Sequence, residues 1–273
     1  MELDDIKKHW DVSAKSNTTS LLSTTKTSTI KKLEINSFYQ VIRNLSDNKK
    51  TERLLEVGCG NGYNLFGLKQ LLPNLKLQGV DYSEEMIEAA QRINDEKHKS
   101  EIQFSVADAL KIPNGKFKSD TFDFVITNRM LINLNSWTLQ QKALRNIVDL
   151  IKPNGSLIII ENFINSYANQ NTLRELIGLP KRVPDPYNKF LDENLFEKFV
   201  SEEIGLKIMQ VDNFASLHDI LLYVLLPHLS SGTISYEHPL MNTVTELLMN
   251  LPKELSDSFG YFGQNNLYVL RRI

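Results

Sequence analysis

The residues best placed to do chemistry fall in one short segment, Leu54-Leu55-Glu56-Val57-Gly58-Cys59-Gly60-Asn61-Gly62. There an apolar run ends in an acid and three glycines follow at alternate positions. Glycine is needed where the backbone turns sharply, or where a ligand lies against main-chain atoms that a Cβ would push away. An apolar strand feeding such a turn and then a helix is the setting of a small-molecule site, with Glu56 at its mouth and Gly58, Cys59, Gly60 and Gly62 as its floor. A dinucleotide loop would carry its third glycine at position 63, which is Tyr63, so a nicotinamide-type pyrophosphate cradle is not specified.

Two further acids extend the pattern. Asp81 ends the next apolar run, 25 positions after Glu56, where a carboxylate can accept both hydroxyls of a ribose. Alone it is equally a helix-start residue. Asp108, in Ala107-Asp108-Ala109, ends the run after that and can accept from an exocyclic amine, or else sit in a solvated turn. Tyr82, Met86 and Leu110 are available to pack on the faces of a flat base. Acids at three successive strand ends suit a ligand with a ribose, a purine amine and overall positive charge. His218 and His228 are the candidate general bases, each also readable as a packed or surface histidine. Their ten-residue separation does not match a compact metal site, so no metal is expected.

The elements that must position these residues are short apolar runs at 54–57, 75–80, 102–106, 122–127 and 156–161, separated by helical stretches. Such alternation predicts crossover units on a parallel sheet covered on both faces. Ser83 is the expected N-cap of a helix with Glu84 and Glu85 in its first turn. Residues 13–29 are polar and are expected to be mobile or ordered by a ligand, before a helix carrying Ile30, Leu33, Phe38, Val41 and Leu45. Interruptions near 166–205 and 217–263 are expected to form a cap over the open edge of the sheet, with an apolar helix at 220–226 and strands at 206–211 and 267–270. The expected division is a lid and helix at 1–50, a ligand-binding core at 51–165, and cap plus last strands at 166–273.

Composition bounds the function. The chain has 273 residues, 41% of them hydrophobic and 23% charged, with 31 basic residues against 33 acidic. This excludes wholesale disorder and a coiled coil, and it offers no basic footprint for a polyanion, so no nucleic-acid partner is expected. The single Cys59 cannot form an intramolecular disulfide. The start lacks the order of a signal peptide and no apolar run reaches ~20 residues, so a cytoplasmic location without membrane partners is expected.

The loop 56–62 with Asp81 and 107–109 resembles class I methyltransferases that use S-adenosylmethionine, over about residues 51–163. The resemblance implies a Rossmann-like, doubly wound α/β fold: a mostly parallel seven-stranded sheet with an antiparallel last strand, an N-terminal helical lid and cap insertions. It also implies roles. Glu56 and Gly58 lie beside the methionine amino group, with Cys59 in the same loop. Gly60 to Gly62 lie under the sugar and Asp81 on the ribose. Asp108, between Ala107 and Ala109, reaches the adenine, and Asn128 sits near the methionine part. Lys26, after Thr24-Thr25, is similar to a lid residue that reaches the carboxylate. Arg129, Asn133, Tyr187 and Asn188 are the substrate-side candidates, the first two equally able to brace the cap and the last two equally readable as a structural turn. The expected activity is methyl transfer to a small soluble acceptor, most readily at a hydroxyl of a sugar or glycan precursor, by a monomer or homodimer. N- or C-methylation, a nicotinamide oxidoreductase (disfavoured by Tyr63) and a non-catalytic cofactor-binding module are the alternatives.

Overall fold

Strands β1 (Arg53–Val57), β2 (Lys76–Asp81), β3 (Gln103–Val106), β4 (Phe122–Asn128), β5 (Ile151–Asn162), β6 (Leu206–Asp212) and β7 (Asn265–Arg272) form one sheet in the order β3-β2-β1-β4-β5-β7-β6. The computed structural model describes residues 2–17, 20, 23–47, 50–112 and 117–273. All pairings are parallel except those of β7, which runs antiparallel to both β5 and β6. Strand order reverses between β1 and β4. In such sheets a crevice opens there, beyond the carboxyl ends of the strands.

Alternation along the strands divides the core. Leu54, Ile126, Ile158, Ile160 and Val269 pack on one face, with side chains of α2 (Ser28–Leu45), α3 (Tyr63–Leu71), α4 (Glu84–Ile93) and α10 (Pro239–Asn250). Leu55, Val57, Val125, Leu157, Ile159 and Tyr268 pack on the other, with α5 (Trp137–Val148) and α7 (Glu193–Lys198). Period-2 side-chain direction makes one apolar strand serve two layers. Ser83 caps α4 as expected, its Oγ accepting from the Met86 amide at 3.2 Å.

Three expectations need correction. The stretch 13–29 is not simply a polar segment: its first residues complete a helix, α1 (Leu3–Asn17), which buries Ile6 and Ala14 and holds α4 through Ser83 Oγ to Asp11 Oδ1 at 2.6 Å. Four of its other positions, 18, 19, 21 and 22, lie outside the described residues. The insertions do not run along an edge of the sheet, whose edges are β3 and β6. Residues 181–190, together with Asp219, Tyr223 and Tyr236, instead line the crevice beyond the strand ends, while Val244 and Leu248 of α10 join the core on the α2 face. Finally, the strand expected at 156–161 begins earlier, at Ile151, and takes in Pro153-Asn154-Gly155, Asn154 adopting φ +64°. Among the described residues no helix is long and apolar enough to cross a membrane.

Candidate active site

The glycine loop is held by the strand beside it. The amides of Gly58 and Cys59 both donate to the Val80 carbonyl, at 2.8 and 2.9 Å. Gly60 N donates to Asp81 Oδ2 at 2.8 Å, and Asp81 Oδ1 accepts from Ser83 N at 3.0 Å. Asp81 therefore fastens the loop to the start of α4 while it lines the crevice. Burial pushes its carboxyl above the usual range, against the pull of those amides. Gly58 has φ +76° and abuts Met130, so neither a side chain nor another backbone shape fits there. Gly62 does not fulfil its expected role. It does not line the cavity; it starts α3 at φ +79°, and a Cβ on it would lie 2.7 Å from the Phe104 ring.

One cavity of about 1120 Å³ runs from this loop to the cap. Lys26, Glu56, Gly58, Cys59, Gly60, Asp81, Tyr82, Met86, Ala107, Asp108, Ala109, Asn128, Arg129, Asn133, Tyr187 and Asn188 all line it. The lining also includes buried polar atoms without a hydrogen-bond partner among the described residues: Glu56 Oε2, Asn61 Oδ1, Asn128 Oδ1 and Tyr167 Oη. An unmet buried polar atom costs ~1–3 kcal/mol, so their gathering around one cavity marks a ligand surface. Glu56 Oε1 accepts from Asn64 Nδ2 at 2.6 Å. Burial pushes the Glu56 carboxyl up to about 8, although Asn64 and the Lys31 ammonium pull it down.

Beneath the lid lies a charge network that the sequence did not disclose. Glu34 of α2 is fully buried, with Lys31 Nζ at 3.2 Å, Arg129 Nε at 3.1 Å and the amides of Asn128 and Asn265 donating at 2.8 and 3.1 Å. Burial alone would raise its carboxyl, but Arg129 and Lys31 beside it hold it below the usual range. Arg129 adopts φ +53°, fixed by its amide donating to the Ile160 carbonyl at 2.7 Å. Lys31 is buried on the cavity wall, whereas Lys26 is exposed and pairs with Asp185 at 3.3 Å. The buried cation of the lid is thus Lys31 and not Lys26. Asn133 accepts from Trp10 Nε1 at 3.2 Å, and Tyr187 stacks on His9 at 4.3 Å, so two substrate-side candidates also dock α1.

Neither histidine reaches the cavity. His228 is exposed on α9 (Leu226–Leu229), away from the lining. His218 is fully buried behind the wall, with Nδ1 2.8 Å from Asp219 Oδ1 and Nε2 3.0 Å from Thr29 Oγ1. The residue that faces the cavity is its neighbour Asp219, whose Oδ2 accepts from Gln264 N at 2.8 Å. Glu161, at the end of β5, accepts the amides of Met130, Leu131 and Ile132 and fixes the turn after β4.

A doubly wound sheet with a glycine loop, acids at successive strand ends and a capped crevice defines a Rossmann-like α/β domain. The chain belongs to the methyltransferase-domain family, whose sequence profile matches residues 48–200. It is 24% identical over 183 residues to a malonyl-[acyl-carrier protein] O-methyltransferase of Bacillus cereus, covering 67% of this chain and 62% of that one. It is 31% identical over 109 residues to a demethylmenaquinone methyltransferase of Lactococcus lactis, covering 40% and 41%. The chain thus spans less than two thirds of these relatives' length. The crystal structure of magnesium protoporphyrin IX methyltransferase from Synechocystis, with bound SAH, shares the fold with a TM-score of 0.55 at 15% identity, over 89% of this chain and 83% of that one.

Proposed function

We propose that the chain transfers the methyl group of S-adenosylmethionine to a hydroxyl of a small acceptor held under the cap. The observation that carries this is the continuity of the cavity. At about 1120 Å³ it exceeds the ~300–1,000 Å³ of a single drug-sized site, and it joins the nucleoside-type loop to the cap without a wall between.

The residues present fit the cofactor. Two buried acceptors without partners, Glu56 Oε2 and Asn128 Oδ1, suit an ammonium group, Asp81 retains lone pairs for a ribose diol, and Asp108 lies at the base end. When bound, the cofactor supplies a methyl group already activated by a sulfonium. The protein's task is then to align the acceptor and keep water away, which can supply ~7–11 kcal/mol of the barrier. Asp219 favours a hydroxyl acceptor. It is a carboxylate on the cap side of the cavity, able to take the hydroxyl proton, and His218 and Thr29 behind it hold it in place. With Asp219 ionised, His218 Nδ1–H donates to it and Nε2 accepts from Thr29.

Titration with S-adenosylhomocysteine, followed by transfer of labelled methyl from the cofactor to fractions of a cell extract, tests this reading. Label in small molecules supports it. Label confined to protein or nucleic acid overturns the acceptor class, and failure to bind the nucleoside overturns the whole.

A further inference from the structure

The cap half of the cavity carries a cation that pairs directly with no acid among the described residues. Arg182 lies on the wall, its guanidinium 3.5 Å from the centre of the Tyr223 ring and 5.2 Å from that of Tyr167. Its Nη1 donates to the side-chain oxygens of Gln170 and Gln264 at 2.5 and 3.1 Å, while Nε and Nη2 make no hydrogen bond within the described protein. The other cap-side lysines are spoken for: Lys26 pairs with Asp185 and Lys181 with Glu175. Beside Arg182, Tyr167 is 6% exposed and its hydroxyl is buried without a partner. Phe190 packs edge-on against Tyr167 at 5.0 Å, and Tyr236 against Tyr223 at 6.5 Å.

Resting on the methyltransferase reading, we propose that the acceptor is a small carboxylate with a flat, unsaturated body, its carboxylate held by Arg182 and the Tyr167 hydroxyl. A guanidinium edge with two open N–H groups matches a carboxylate in a bidentate manner. The orphan hydroxyl supplies a third donor to the same group. One unpaired cation suits a singly charged anion better than a phosphate dianion. A neutral sugar would leave the Arg182 charge unmatched. The rings of Phe190, Tyr223 and Tyr236 offer faces and edges to a planar body.

Benzoate and its neutral isostere benzamide serve as probes, added to the full-length protein saturated with S-adenosylhomocysteine and followed by ligand-observed NMR and calorimetry. The expected result is that benzoate binds at least about tenfold more tightly than benzamide, the scale of one charge-assisted contact. Arg182→Gln abolishes that preference, and Tyr167→Phe weakens benzoate while retaining part of it. Both variants are checked to bind S-adenosylhomocysteine as the parent does, which also shows that they fold. Equal binding of the two probes, absence of benzoate binding, or benzoate binding untouched by both variants overturns the proposal. So does loss of nucleoside affinity in a folded Arg182→Gln, which would assign the guanidinium to the cofactor. A parent protein that binds benzoate through Arg182 but not S-adenosylhomocysteine would instead refute the methyltransferase reading and leave this site standing.

Discussion

The two halves of the cavity are built on opposite plans. On the sheet side the polar groups sit at strand ends and most are engaged before any ligand arrives: Asp81 by two backbone amides, Asp108 by the Leu110 amide at 2.9 Å, Glu56 by Asn64 through one oxygen. What remains unmet there is acceptor capacity, Glu56 Oε2 and Asn128 Oδ1. On the cap side the walls are aromatic, and among the described residues donor capacity is left on Arg182, whose guanidinium hydrogen bonds all come from Nη1, and on the buried Tyr167 hydroxyl, which has no partner. A rigid acceptor-rich half facing an aromatic donor-rich half is suited to hold a cation and an anion together.

That contrast can be broken at each half separately. The largest effect is expected on the cap side: Asp219→Asn should lower kcat by about 10²–10⁴-fold, the usual contribution of a positioned base, with nucleoside affinity unchanged. Asp219→Glu should recover part of the rate. Retention of kcat would remove Asp219 from the chemistry. On the sheet side, Asp81→Ala should weaken S-adenosylhomocysteine by about 1.5–3 kcal/mol, the scale of hydrogen bonds to a charged group, as measured by calorimetry. Because that change also frees the Gly60 and Ser83 amides, the loop loosens with the loss of the diol contact. Unchanged affinity would leave Asp81 as a loop fastener only.

The sheet side was legible because its signals are local. Strand, acid, glycines and helix follow one another within a dozen positions, and strand ends must line up where the sheet order reverses. Gly62 was misassigned because a glycine placed to admit a ligand and one placed to clear the Phe104 ring look identical in sequence. The cap side was opaque because its contacts are long-range: Arg182 meets Gln264, Trp10 meets Asn133, and Glu34 gathers Asn128 and Asn265. No periodicity encodes such pairings. Lys26 stands out in sequence only through the resemblance of Thr24-Thr25-Lys26 to a lid, while Lys31 lies in a helix whose buried face is known only once α2 is seated on the sheet. Helix α1 did leave a signal, Ile6, Trp10 and Ala14 at four-residue spacing, hidden among charges.

A third effect concerns stability and pH. Burial raises the Glu56 carboxyl to about 8 and the Glu161 carboxyl to about 7, in each case against hydrogen bonds that pull it down. An acid whose folded value lies above its unfolded one binds its proton more tightly in the native state. The stability it confers is complete below about pH 4.5 and is lost as pH rises through the folded value. The ligand-free protein should therefore lose thermal stability between about pH 5 and 8, each group contributing at most about 1.4 kcal/mol per pH unit. Glu56→Gln should remove part of that slope and leave the Glu161 part, read as Tm against pH. Lys31, Glu34 and Asp81 also face Glu56, so the slope reports the cluster and the variant isolates one member. A cationic amino group held against Glu56 favours its ionised form, so S-adenosylhomocysteine should bind more tightly at pH 7.5 than at pH 6 in the parent and nearly equally in Glu56→Gln. If the variant keeps the parent's pH dependence of binding, the ammonium does not sit at Glu56, and the acceptor-rich half of the comparison loses its occupant.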